Sequence, residues 1–188
     1  VNGIEVHRPL LIRSGQQEGL SFVNPDMVES VDFSAGGFDA KYSDKMSSVL
    51  DIRYKRPTRL ESRINMSLLG ASAYVGWGNG TQSQMHSIRY KTSRYLLGAL
   101  ETAGNYNPNF IDYQTQMTWN LGDEARRRKA WEITLLGNFS QNSYEFVPDS
   151  VSSSFGTMQQ ALNKSIWYEG QEKDMFRTAF AALNISNQ

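Results

Sequence analysis

Hydrophobic and polar residues alternate with a period of two over much of this chain. The cleanest stretch is Ile111 to Leu121. Ile111, Tyr113, Thr115, Met117, Trp119 and Leu121 share one face there, and Asp112, Gln114, Gln116, Thr118 and Asn120 share the other. Successive strand side chains point to opposite sides, so the segment predicts a strand with one apolar and one polar side. Trp131 to Ser140 repeats the pattern, with Leu136 as its one exception. Leu60, Ile64 and Met66 alternate against Glu61, Arg63, Asn65 and Ser67, while Arg89 to Leu97 and Phe176 to Ile185 alternate less cleanly.

The connections differ in length. Gly76–Ser83 and Gly122–Lys129 are short and polar, whereas Glu101–Asn109 and Val147–Asn163 are longer. Met158 to Asn163 is predicted as one helical turn inside the last of these. Alternating short and long loops suit a transmembrane barrel, in which one rim is trimmed and the other elaborated. A soluble sandwich also has unequal loops.

Residues 1–57 have another texture. Short apolar runs (Val1–Val6, Val28–Phe33, Ser48–Ile52) are separated by Asn24-Pro25-Asp26 and Gly36-Gly37. Asn24 or Asp26 is a candidate cap for a helical turn reaching about Ser30, with Pro25 tolerated at its start. The region reads as small and mixed α/β. Pro57 marks the boundary, because proline disfavours continuing a strand. The period of two begins just after it.

Composition narrows the function classes. The 188 residues carry 19 Lys+Arg and 19 Asp+Glu, so the formal net charge is zero. That removes the long-range pull of a general nucleic-acid binder. Cysteine is absent, which rules out disulfides, thiolate metal sites and cysteine nucleophiles. Val1–Val6 has neither the basic start nor the apolar core of a secretory signal. No run approaches the ~20 apolar residues of a membrane helix. Strands that cross a membrane escape that test.

The segment Val28 to Lys55 carries a resemblance. It reads Val28-Glu29-Ser30-Val31-Asp32-Phe33, then Gly36-Gly37-Phe38, Ala40, Tyr42, then Ser47-Ser48-Val49-Leu50-Asp51-Ile52. This order resembles the end of the plug domain in TonB-dependent outer-membrane receptors. Those have an acidic-hydrophobic strand, a Gly turn, an Ala-x-Tyr-Gly element and a small-small-Val-hydrophobic-x-Ile strand. Asn2-Gly3-Ile4 and Asn24-Pro25-Asp26 also look like plug elements of one receptor subgroup. The departure is Ser43, where the family usually has Gly after Tyr.

The resemblance implies a mainly β fold. Residues 1–57 would be the C-terminal part of a plug, and residues 58–188 the first antiparallel strands of an incomplete transmembrane β-barrel. The family's barrels are 22-stranded, while the strands here number about five or six at ordinary lengths. The chain is therefore expected to be a fragment that associates with copies of itself, and Asn184–Gln188 looks like a strand cut short. The implied function is energised uptake of a scarce nutrient across the outer membrane of a Gram-negative bacterium. The implied partners are the TonB complex, outer-membrane lipid and an unknown nutrient ligand, with no nucleic acid and no cofactor. Short turns would then face the periplasm and long loops the outside, given an extra tight turn near Leu69–Ala71. A soluble, secreted β-sandwich that binds carbohydrate is the alternative.

Little in the chain suggests catalysis, and it reads as a non-enzyme. His7 and His86 are the only histidines, and neither has a second ligand at metal-site spacing. Glu169 and Glu172 beside Trp167-Tyr168 imitate a glycosidase pair but read as a solvated loop. Ser47-Ser48 sits in no nucleophile elbow. Gly76-x-Gly78-x-Gly80 lacks the helix of a dinucleotide loop and is predicted to be a hairpin turn. Arg126-Arg127-Arg128-Lys129 is a basic turn able to meet anionic headgroups. Trp119, Trp131 and Tyr113 are expected in an aromatic girdle. Tyr106, Trp167 and Tyr168 are the candidate ligand-stacking residues. Gly36, Gly37, Tyr42 and Asp51 are the structural residues of the plug motif.

Overall fold

A computed structural model describes residues 1–7, 21–37, 42, 47–92, 104–122, 131–148, 151–157, 160–166 and 170–187. The chain is mainly β and its strands pair antiparallel. Asn24 caps a short 3-10 turn, Pro25–Met27, by accepting from the Asp26 backbone N–H at 3.0 Å. The turn stops at Met27, short of Ser30, because Val28 already has extended backbone angles. Strands β1 (Val28–Ser34) and β2 (Val49–Tyr54) then form a two-stranded sheet. Among the described residues this N-terminal region holds no α-helix, so its expected mixed α/β character reduces to one 3-10 turn and one strand pair.

The remaining strands are β3 (Glu61–Ser67), β4 (Gly70–Gly78), β5 (Gln82–Thr92), β6 (Gly104–Tyr106), β7 (Asn109–Leu121), β8 (Trp131–Pro148), β9 (Val151–Thr157), β10 (Gln160–Ile166) and β11 (Glu172–Asn187). Six of them form an up-and-down meander in the order β11-β8-β7-β5-β4-β3, and β6 continues the track of β7 along β8. The sheet is open, with β3 and β11 at its edges. Gln160 to Asn163, expected to be helical, belongs to β10 and pairs with β9 in a separate hairpin. A helical turn cannot compete there once each residue from Gln160 to Ile166 has a cross-strand partner. Among the described residues no helix is long and apolar enough to cross a membrane.

A tight turn at Leu68-Leu69 separates β3 from β4 and splits Arg59–Trp77 into two strands. Asn79 closes the β4–β5 hairpin by accepting from the backbone N–H groups of Thr81 and Gln82 through Oδ1. That turn and the paired strand ends Leu121 and Trp131 lie at one rim of the sheet. At the opposite, elaborated rim β8 runs on past β7 to pair with β6, and β5 ends at Thr92 opposite Asn109.

Gly76 and Gly78 are not turn residues, contrary to the expectation from sequence; they sit within β4. Their open faces seat the segment that leaves the N-terminal region. A Cβ on Gly78 would lie 2.1 Å from the Pro57 carbonyl oxygen, and one on Gly76 would lie 2.6 Å from the Pro57 ring. Two alternate positions without side chains thus form a saddle for Pro57. Gly78→Ala forces the backbone of this crossing to shift, and is expected to cost about 1–3 kcal/mol in urea unfolding. Gly80→Ala meets no neighbouring atom, so its cost comes from the positive φ of +83° and not from the crossing chain.

Candidate functional site

The register places Arg89, Asp112 and Ser140 in one row on the same face of the sheet, with Ser87, Gln114 and Asn138 in the next. Met85, Gln116 and Leu136 follow, then Thr118 and Thr134. This is the polar face read from the sequence, and it is the buried one. Among the described residues twelve polar or charged side chains are buried, against nine hydrophobic ones. An ordinary soluble core has the opposite balance.

The N-terminal region covers this face, and polar contacts join the two. Asn2 donates to Gln116 (2.7 Å), and Asn24 donates to the Ser87 hydroxyl (2.5 Å). The Tyr54 hydroxyl donates to Gln114 Oε1 at 3.2 Å, and Gln114 Nε2 donates to the Phe22 carbonyl. The small apolar nucleus beneath them includes Phe22, Met27, Ile52 and Tyr54 from the N-terminal region and Tyr74, Met85 and Leu136 from the sheet. Phe22 also meets Phe180 of β11 edge-on, with ring centroids 5.6 Å apart.

Three arginine–carboxylate pairs pin the interface. Arg89 binds Asp112 bidentately at 2.8 Å for both bonds, and its outer nitrogens donate to the backbone carbonyls of Val23 and Ser21. Both partners are nearly inaccessible, at 8% and 1% of side-chain surface. Arg56, just ahead of the Pro57 saddle, binds Glu132 bidentately at 2.6 and 2.7 Å. Arg63 reaches Asp26 at 3.2 Å, and Asp26 also accepts from Asn65 and Ser72. Beside this cluster a cleft of about 580 Å³ opens between the 3-10 turn and β3–β5, lined by Asp26, Asn65, Ser72, Arg89 and Lys91 among others.

Burial raises the Tyr54 hydroxyl pKa to about 12, because its anion would lose hydration inside this interface. An unfolded tyrosine ionises near pH 10. The resulting stability is therefore complete below about pH 10 and is lost as pH rises through about 12. An alkaline unfolding series should show that loss in the parent chain and a reduced loss in Tyr54→Phe.

No family model, curated protein or solved structure matches the chain.

The residues singled out from sequence are distributed as follows. Tyr42 and Asp51 do meet, the Tyr42 hydroxyl donating to Asp51 Oδ2 at 2.9 Å. Gly36 and Gly37 follow β1 with φ of +89° and +65°, the left-handed region that glycine enters without strain. Tyr106 lies on β6 opposite Phe146. Trp167, Tyr168, Glu169 and the basic run Arg126–Lys129 lie outside the described residues, and Glu172 is exposed at the start of β11. His7 is exposed beside Glu5, and Ser47 and Ser48 are exposed ahead of β2. His86 lies on the apolar face, with Nδ1 2.8 Å from the Tyr113 hydroxyl and 3.0 Å from that of Thr115. Reading the sequence missed Arg56, Arg89, Asp112, Gln114 and Glu132. For Arg89, Asp112 and Glu132 the available signal was a charged residue on the polar side of an otherwise regular strand.

The opposite face is apolar and bare. Ile111, Tyr113, Leu121, Trp131, Phe139, Leu183 and Ile185 each expose 38% or more of their surface. Among the described residues no second layer covers them.

Proposed function

We propose that this chain is part of an outer-membrane active-transport receptor, with residues 58–188 as barrel wall and residues 1–57 as part of the plug. The observation that carries the reading is the inversion of the sheet: its polar face is buried under the N-terminal region and, among the described residues, its apolar face has no cover. A soluble carbohydrate-binding sandwich would bury the apolar faces against each other. A barrel wall does the reverse, greasy towards lipid and polar towards the lumen.

The dimensions agree with a bilayer. From Ile111 to Leu121 the strand advances about 33 Å, or about 25 Å along the normal at a tilt near 40°. That is about the height of the apolar band of known outer-membrane barrels. Aromatic residues mark both limits. Trp131 and Trp119 occupy the first two rows from the short-turn rim, while Tyr113, Phe139 and Tyr90 lie towards the elaborated rim. Such rings favour the headgroup level, where one end is apolar and the other wet.

Function follows from the cover. A wide barrel leaks unless its lumen is filled. A plug held by hydrogen bonds and ion pairs seals the lumen, yet can be loosened without exposing a large apolar core to water. Ligand arriving at the elaborated rim would meet the cleft beside Asp26. Energy from the TonB complex would act on the N-terminal side. No chemistry on the substrate is required, and the ligand is a nutrient of unassigned class.

Tryptophan emission tests the membrane placement. The chain is reconstituted in vesicles whose phosphatidylcholine carries bromine either near the headgroup or deep in the acyl chain. Strong quenching is expected, more from the shallow label, and Trp131→Phe should remove part of it. Emission indifferent to both labels would contradict the reading.

A further inference from the structure

We propose that Arg177 binds the phosphate of a membrane lipid at the elaborated rim, with Lys173 adding positive charge two outward rows further along the strand. The inference rests on the membrane reading above and adds a specific contact to it. On the outward face of β8 and β11, the apolar band ends in register. Ala179 pairs with Phe139, the next outward row is Arg177 with Gln141, and then follow Met175 with Ser143 and Lys173 with Glu145. On β8 and β11 the outward side chains therefore turn mostly polar from this row on, with Met175 the apolar exception. That is the level at which headgroup phosphates meet a spanning wall.

The state of the arginines supports an external anion. The strands of the large sheet carry three: Arg63, Arg89 and Arg177. Arg63 and Arg89 point towards the N-terminal region, and each is paired with a carboxylate. Arg177 points outward. Its Nε donates to Gln141 Oε1 at 2.9 Å, which fixes the plane of the guanidinium. Its two Nη nitrogens have no partner among the described residues. The one outward carboxylate nearby, Glu145, sits two outward rows away from Arg177. It is engaged by Gln171 at 3.3 Å and more loosely by Lys173 at 3.7 Å. A planar donor pair held in place without an anion matches a phosphate, which accepts bidentately. Lys173, in the same row as Glu145, is 64% exposed on its side chain and adds positive charge at longer range.

Native mass spectrometry of the chain in zwitterionic detergent micelles tests the assignment. The probes are a bis-phosphorylated lipid A, a phosphatidylcholine and inorganic phosphate. Lipid A is expected to bind in preference to phosphatidylcholine. Arg177→Gln should weaken it about fivefold, and Arg177→Gln with Lys173→Gln about 25-fold, while Arg177→Lys, which keeps the charge and loses the paired donors, restores only part of the binding. Both positions are exposed, and circular dichroism checks that the variants keep their strands. Equal binding of lipid A and phosphatidylcholine by a micelle-embedded chain overturns the phosphate site and leaves the membrane reading intact. Unchanged lipid A binding by the double variant overturns it as well. Displacement of lipid A by equimolar inorganic phosphate would make this a free-anion site and overturn the lipid assignment. A chain that never enters micelles removes the membrane reading and the site together.

Discussion

Asp112→Ala is expected to destabilise the fold by about 3–5 kcal/mol, the usual cost of removing one partner from a buried ion pair. The reason is what remains. Arg89 is left as an unpaired guanidinium, and its side chain is only 8% exposed. Two of its hydrogen bonds go to the carbonyls of Ser21 and Val23, which do not neutralise it. Gln114 also loses a partner, since its Nε2 lies 3.2 Å from Asp112 Oδ2. Replacing both ionic partners, as Arg89→Met with Asp112→Leu, should cost markedly less than Asp112→Ala alone, because no charge is then stranded. Urea unfolding in micelles reads both variants. Hydrogen exchange across residues 21–37 should accelerate in Asp112→Ala, where the N-terminal region loses its anchor. A cost below about 1 kcal/mol would mean that the pair is hydrated and that the N-terminal region is not packed on the sheet.

The strands themselves were legible from side-chain alternation. Ile111–Leu121 and Trp131–Ser140 lie within β7 and β8 with the faces the pattern assigned. Alternation fixes which residues share a side, but not which side is covered. That depends on what packs there, and the covering contacts join residues far apart in sequence, such as Tyr54 with Gln114 and Arg56 with Glu132. The partner of Arg89 follows only from register: β5 and β7 must align so that residues 89 and 112 are opposite each other. Gly76 and Gly78 resembled turn punctuation because glycine in a loop and glycine under a crossing chain look alike in one dimension. The Met158–Asn163 stretch failed for a related reason. Its helical tendency is weak, and a hairpin partner in β9 decides the matter.

Lysine in place of leucine measures what the bare face touches. Leu135 lies in the third outward row from the short-turn rim, flanked by Met117 and Leu183, whereas Leu121 lies in the first. In a bilayer, a lysine at depth costs about 2–4 kcal/mol and one near the interface about 0–1 kcal/mol. In water, both positions border open surface, and either change should stay within roughly 0.5 kcal/mol of neutral. Inner-face Thr134→Val changes no charge and controls for general loss of packing.

The decisive measurement is the unfolding free energy of Leu135→Lys against Leu121→Lys, both reconstituted in the same lipid vesicles. A penalty at least about 2 kcal/mol larger for Leu135→Lys is the expected result, because only lipid makes the same substitution depend on depth. Equal penalties for the two would contradict a lipid-facing wall.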